Sequence, residues 1–270
     1  MYDPNDRAEQ SFRGAFTAAC RARTVNYEHV IEAVYRRDSV NWAPGYVVDG
    51  GAHKGLHTLP LATLAPVETV LAFEPGEEAH AVLVKRIASD PNRAKIRLIK
   101  AAIQDDPGRD TVTFHVSTNH PGRSGINPIL RRNRDTHYLD PLEVLATTLD
   151  QSVAGLEGRC GFIKLDLEGG EFNALKGARD LLRRDKPLIL FENGRHAPEI
   201  GGYTRGGFLR FLDRMGLVVI TAFGDVGTPR NMRDFWYAWA CAKRHEARTR
   251  RMVRMEAGRC FRAFRAAQVS

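Results

Sequence analysis

The stretch YVVDGGAHKG, residues 46–55, runs an apolar segment into an acid, Asp49, and then into Gly50, Gly51 and Ala52, residues with almost no side chain. Such a boundary is either a plain tight turn or a place where a ligand lies against bare backbone beside a carboxylate. Gly51 lets the main chain approach a ligand closely, and Gly55 stands where a helix begins, whose first amides carry partial positive charge. Outward from this stretch, short β-type runs alternate with helical segments. The runs cover 46–49, 69–74, 96–100, 111–116, 161–166, 187–192, 217–223 and 235–241, with helical candidates at 55–65, 77–89, 171–184 and 204–215. This alternation predicts an α/β fold, a mostly parallel sheet with helices on both faces. The last two runs, joined by a loop with Gly224, Asp225, Gly227 and Pro229, read as a long hairpin at one edge. Residues 10–37 read as one or two helices. Residues 117–146, rich in turn formers and arginine, have the character of a lid, a binding loop or a disordered segment.

Four of the runs end in an acid: Asp49, Glu74, Asp166 and Glu192. In a parallel sheet these ends share the carboxyl edge, where doubly wound sheets bind ligands near the reversal of strand order. Four carboxylates there repel one another unless a ligand, a cation or hydrogen-bond donors sit among them. Glu74, which ends the second strand 25 residues after Asp49, is placed to accept both hydroxyls of a ribose. The G-x-G-x-x-G spacing of dinucleotide folds is absent, as is a G-x-x-x-x-G-K-[ST] loop, which argues against a nicotinamide enzyme and an NTPase. A ligand with a ribose and no pyrophosphate, S-adenosylmethionine, fits better.

Bulk properties agree with an ordinary globular enzyme. The 270 residues are 43% apolar and 27% charged, enough for a sizeable core. The polar N-terminus is unlike a secretory signal, and no apolar run approaches the roughly 20 residues that span a bilayer. Cys20, Cys160, Cys241 and Cys260 are far apart and form no C-x-x-C pair, which speaks against zinc or a disulfide framework and for the cytoplasm. The net charge of +8 is concentrated in a tail: residues 243–270 hold nine Lys and Arg against two Glu. Three segments follow, a helical N-terminal cap (1–44), a catalytic body (45–242) and a basic amphipathic C-terminal helix (243–270).

The blocks D-G-G-A-H-K-G-L-H-T, A-F-E-P, T-T-L-D and K-L-D-L-E-G-G-E-F-N-A-L-K-G-A together resemble the FkbM-type family of S-adenosylmethionine-dependent methyltransferases over roughly residues 46–241. The resemblance implies a class I (Rossmann-like) methyltransferase fold of seven strands, the last antiparallel. It implies cofactor contacts at Asp49, Gly50, Gly51, Ala52 and Gly55, at Glu74 and Pro75, and at Ala101 and Ala102, with Asp166 nearby. It further implies methylation of hydroxyls on sugars, glycolipids or glycosylated natural products. Gly50, Lys54 and His57 depart from the usual pattern, in a way that bears on how the first helix packs.

An alcohol is a poor nucleophile and gains from a base or from a cation beside the developing alkoxide. Asp166 ends its strand, Glu168 projects on the same side if the chain stays extended, and Glu171 opens the next helix, as a catalytic group or a cap. Asp166, Glu192 and Asn193 are the expected ligands of a Mg²⁺ ion. His196, after the fifth strand, and His120, in the long loop, are the histidines that could face an acceptor; His53, His57 and His137 read as solvated or packing residues. Arg123, Arg131, Arg132 and Arg134 either meet an anionic acceptor or keep the loop soluble. In the tail, Val253, Ala257, Cys260, Phe261 and Phe264 form a stripe that suits an anionic membrane surface, the body of the protein or a second subunit. The leading expectation is an O-methyltransferase for a hydroxylated small molecule. The rivals are a nucleic-acid methyltransferase with the tail as an electrostatic arm, which a near-neutral body disfavours, and a non-catalytic cofactor-binding homologue.

Overall fold

Seven of the eight apolar runs become strands of one sheet in the computed structural model of the protein, which describes residues 7–22, 25–119, 124–126, 137–194 and 196–267. Helices α1 (Arg7–Arg21) and α2 (Glu28–Ser39) lead into β1 (Gly45–Gly50), α3 (Thr58–Ala62), β2 (Val67–Phe73), α4 (Glu77–Ala88) and β3 (Ile96–Ile99). Then come β4 (Ala102–Ile103), β5 (Thr111–Phe114), β6 (Leu142–Thr147), α5 (Leu149–Ser152), β7 (Arg159–Leu165), α6 (Glu171–Lys176), α7 (Arg179–Asp185) and β8 (Leu188–Glu192). The chain closes with α8 (Ala197–Ile200), α9 (Arg205–Arg214), β9 (Leu217–Thr221), β10 (Tyr237–Ala242) and α10 (Glu246–Ala267).

The sheet order is β3-β2-β1-β7-β8-β10-β9. All neighbours are parallel except β10, which runs against both β8 and β9. This seven-stranded sheet with a reversed final strand is the class I arrangement that the resemblance implied. Strand order grows outward from β1 to β3 and then jumps back to β7, so the carboxyl ends of β1 and β7 flank the crevice where such sheets bind ligands. Helices cover both faces, which is why every residue of β1 and of β10 is buried and their sequences are apolar or small apart from Asp49.

One face of the sheet packs on α1, α2, α3 and α10 through Phe16, Tyr35, Leu61, Phe162, Trp239 and Val253; the other packs on α6, α7 and α9 through Leu175, Leu182, Phe208 and Phe211. The terminal helices thus share a core with the sheet. The tail stripe lies inside this core: Val253 and Ala257 are buried, and Phe261 meets Phe12 and Phe16 edge-on at ring separations of 4.8 and 5.9 Å. The side chain of Phe264 lies outside the described ones. Much of the tail's charge is paired: Arg248 with Asp38 at 2.8 Å, Arg254 with Asp225 at 3.2 Å and Arg259 with Glu256 at 3.3 Å. The apolar face expected to seek a membrane, the body or a partner is covered by the protein's own body. Among the described residues no helix is long and apolar enough to cross a membrane.

Two expectations change. The run 111–116 is a strand, but it stands outside the main sheet, paired antiparallel with β6 in a ribbon that also holds β4. β6 itself lies within the segment read as a loop, where L-E-V-L-A-T alternates weakly enough to be lost among its turn-rich neighbours. The helix expected over 171–184 breaks after Lys176, because Gly177 packs directly against the Gln104 carbonyl and its own carbonyl accepts the Asp150 amide at 2.9 Å.

Phe16 joins α1 to α10, Phe223 and Phe235 in one aromatic cluster. Phe16→Ala is expected to destabilise the protein by about 3–5 kcal/mol in denaturant titration. A loss below about 1 kcal/mol would show that the cluster does not tie the terminal helices to the sheet.

Candidate active site

A lysine near the carboxyl end of a largely apolar strand organises the carboxyl edge. Lys164 of β7 is buried, and its Nζ lies 3.0 Å from Asp49 Oδ1, 3.0 Å from the Gly51 carbonyl and 3.3 Å from the Gly50 carbonyl. Asp49 also accepts a 2.6 Å hydrogen bond from Thr58 Oγ1 at the start of α3. Burial disfavours both charges. The charge of Lys164, then that of His57, together with the bonds from Thr58 and Lys164, nevertheless hold the Asp49 carboxyl below the usual carboxylate range. Burial likewise works to lower Lys164, yet Asp49, Asp166 and Glu28 push its ammonium upward. Both groups therefore stay ionised, and the pair clamps the turn after β1 onto β7. A Cβ on Gly51, whose φ is +73°, would strike the Asp166 carbonyl, so this closure needs glycine.

Above this pair opens a cleft of about 1190 Å³. At one end Glu74, just past β2, accepts the Gly76 amide through Oε1 and the His53 amide through Oε2, each at 2.8 Å. Burial raises the Glu74 carboxyl against those amides and Lys164. Each oxygen keeps a further lone pair for a hydroxyl donor. Gly51, Ala52, Phe73, Pro75, Ala101, Ala102 and Ile103 line the same end, an apolar slot beside a carboxylate. This combination fits the adenosine of S-adenosylmethionine, the carboxylate toward the ribose and the slot around the base.

At the switch point Asp166, Glu168 and Glu192 each bring one oxygen to within 4.8 Å of the others. Glu168 reaches this cluster through a left-handed turn, with φ of +52°, and not along an extended strand as expected. Three carboxylates so close cannot all be ionised. Burial first, then Glu168, Asp166 and Glu171, raise Glu192 well above its ordinary value, and it shares a hydrogen bond with Asp166. Tyr237 of β10 donates to Asp166 Oδ2 at 3.2 Å or to Glu28 Oε1 at 3.3 Å, and Glu28 Oε2 lies 2.6 Å from His57 Nε2.

Several expected site residues stand elsewhere. Asp49 and Gly50 do not open onto the cleft: the carboxylate is spent on Lys164 and Thr58, and Gly50 sits inside β1 beneath Ile103 and Leu165. Gly55 makes room for Leu83 of α4. Glu171 is buried outside the cleft, where Oε1 accepts the Leu167 amide at 2.7 Å and the Gly169 amide at 3.4 Å and so shapes the turn. Asn193 is buried and absent from the cleft lining; its side-chain amide donates to the Met232 carbonyl and its backbone N–H to the Trp236 carbonyl. His196 lies away from the cleft beside Glu199, 3.2 Å from its carboxylate. His120, Arg123, Arg131, Arg132 and Arg134 lie outside the described residues. Lys164, Tyr237 and Glu28 were not anticipated. A charge within the run GFIKLD was a visible signal for Lys164, since an unpaired lysine is not buried; nothing local marks Glu28.

A family model for the methyltransferase FkbM domain matches residues 49–226. The methyltransferase sdnD of Sordaria araneosa is 26% identical over 157 residues, 49% of this chain and 60% of that protein. The chain thus spans less than two-thirds of that relative's length. Among solved structures, a methyltransferase FkbM from Methylobacillus flagellatus KT shares 16% identity over 73% of this chain and 43% of that one, with a TM-score of 0.44. An rRNA methylase from Streptococcus thermophilus shares 13% over 80% and 96%, with a TM-score of 0.45.

Removing the lysine while Asp49 stays buried leaves an uncompensated charge. Lys164→Met is expected to cost about 3–5 kcal/mol in denaturant titration, and Asp49→Asn added to it should recover part of the loss. A Lys164→Met variant as stable as the parent would dissolve the clamp. Glu171 carries a second signature. Burial raises its carboxyl to about 7, so the folded state holds the proton more tightly than the unfolded chain. Its stabilising contribution is complete below about 4.5 and is lost as pH rises through about 7; Glu192 shifts in the same direction. Glu171→Gln, which keeps an acceptor for both amides, should flatten the decline in stability between pH 5 and 8, and an unaltered slope would reject this assignment.

Proposed function

The chain belongs to the FkbM methyltransferase family, and we propose that it carries the methyl group of S-adenosylmethionine to a hydroxyl of a sugar, glycolipid or glycosylated natural product. The observation that carries the reading is a single cleft with two contrasting kinds of lining. Asp166, Glu168 and Glu192 line it. So do Leu56, after β1, Leu139, just before β6, and Leu142 and Leu145 of β6, four of the seven exposed large apolar side chains among the described residues. Carboxylates suit hydroxyl donors, and the leucines suit an apolar body attached to them. Acidic walls also repel phosphate, and the paired tail arginines weaken the case for an electrostatic arm on nucleic acid.

S-adenosylmethionine, when bound, supplies an electrophilic methyl on a sulfonium. The protein's part is to align the acceptor oxygen behind that carbon and to take its proton. Glu74 and the slot formed by Phe73, Ala101 and Ala102 hold the adenosine. Asp166 takes the proton as the O–CH₃ bond forms, while the electrons of the S–CH₃ bond return to sulfur. Asp166, Glu168 and Glu192 would also hold Mg²⁺ in place of the proton on Glu192, and its charge would stabilise the developing alkoxide.

Calorimetric titration with S-adenosylmethionine and its demethylated product tests the first half. Glu74→Ala should weaken binding about tenfold or more; equal affinity would remove the ribose assignment. Asp166→Asn should keep that affinity and lower turnover of a glycosylated acceptor by about 10²–10⁴, and full turnover would clear Asp166. Activity that survives a chelator would dispense with the cation and leave Asp166 as the base.

A further inference from the structure

Past Glu74 the cleft wall continues across the carboxyl ends of two neighbouring strands. β2 and β3 pair in parallel, and the Glu74 amide donates to the Ile99 carbonyl at 3.1 Å, so the residues that follow each strand stand side by side. Among them are Glu77, which opens α4, and Lys100, which follows β3. Both line the cleft, both are exposed, and Lys100 Nζ is ion-paired with Glu77 Oε2. Resting on the S-adenosylmethionine reading above, we propose that this pair is the specificity element for the adenine ring. Glu77 accepts from the exocyclic amino group, and Lys100 donates to ring N1.

The chemistry of the slot leaves that edge of the base to the pair. Phe73, Pro75, Ala101, Ala102 and Ile103 offer the ring apolar faces and no side-chain hydrogen bond. Glu74, whose oxygens already hold the His53 and Gly76 amides, is turned to the ribose. The Watson–Crick edge of adenine presents a donor, the 6-amino group, next to an acceptor, N1. A carboxylate beside an ammonium is its complement, an acceptor next to a donor. The bond between the two side chains uses one carboxylate oxygen and one ammonium hydrogen, which leaves Glu77 Oε1 and two N–H groups of Lys100 for the base. Lys100, by its hydrogen bond first and its charge second, holds the Glu77 carboxyl below its ordinary value, so it stays an acceptor.

Hypoxanthine inverts both groups. A carbonyl oxygen then faces the carboxylate and an N1–H faces the ammonium, so two matched contacts become two mismatches. Exposed ion pairs of this kind add little to stability, so substitutions here leave the fold intact and report on the base alone.

Calorimetric titration of the full chain with S-adenosylhomocysteine and with S-inosylhomocysteine, its hypoxanthine counterpart, tests the pair. The parent should bind the inosyl compound at least about tenfold more weakly. Glu77→Gln, whose amide can both accept and donate, should shrink that preference to about twofold or less. Lys100→Met should lower affinity for the adenosyl compound about tenfold and shrink the preference as well. Glu78→Gln, one residue along the same turn, should keep the parent's preference. Equal affinity of the parent for the two compounds, or a preference that survives both substitutions in the pair, overturns the assignment. So does a preference lost in Glu78→Gln. A parent that binds neither compound overturns the cofactor reading, and the role of the pair with it.

Discussion

An ammonium buried beneath the crevice, Lys164 against Asp49, is the contact on which the carboxyl edge depends. Six acids approach this region, namely Asp49, Glu74, Asp166, Glu168, Glu192 and Glu28, and a low-dielectric edge cannot hold them without compensation. The lysine answers the deepest of them and faces several others. It also binds the carbonyls of Gly50 and Gly51, so the same atom that balances charge fixes the turn where backbone is bare. Charge balance and loop shape are therefore one constraint, and both fail together if the lysine is lost.

Around that anchor the remaining acids are kept apart by different means. Glu74 is wrapped by two amides, which leaves it an acceptor for neutral donors. Burial first, and then the charges of Glu168 and Asp166, raise Glu192 well above its ordinary value. Asp166 lies between that neighbour and the Tyr237 hydroxyl. Carboxylates of one chemical type are thus set apart by environment alone.

The termini contribute more than closure. α1, α2 and α10 bury one face of the sheet, and the same packing brings Glu28 to the cleft and Tyr35 and His57 into contact behind it. Arg248 and Arg254 of α10 pair with Asp38 and Asp225, and Arg37 of α2 pairs with Glu256, across this assembly. These ion pairs help to tie α10 to the body.

The strand–helix alternation, the acids at strand ends and the bare turn after Asp49 were legible as sequence, because hydrophobic period and turn chemistry act over a few residues. That was enough for a mostly parallel sheet with helices on both faces and for Glu74 and Asp166 at its carboxyl edge, while the count of seven strands came from the family resemblance. The ribbon of β5 and β6 was half hidden, since its pairing joins residues separated by a long irregular segment. That Asp49 meets a lysine, that Glu171 accepts the amides of the turn before α6 and that the tail stripe packs on the body are set only by tertiary structure. Each of these turns on which partner fills a lone pair or covers a face. Such partners, like Glu28 beside Tyr237, come from 209 residues away, where no local pattern reaches.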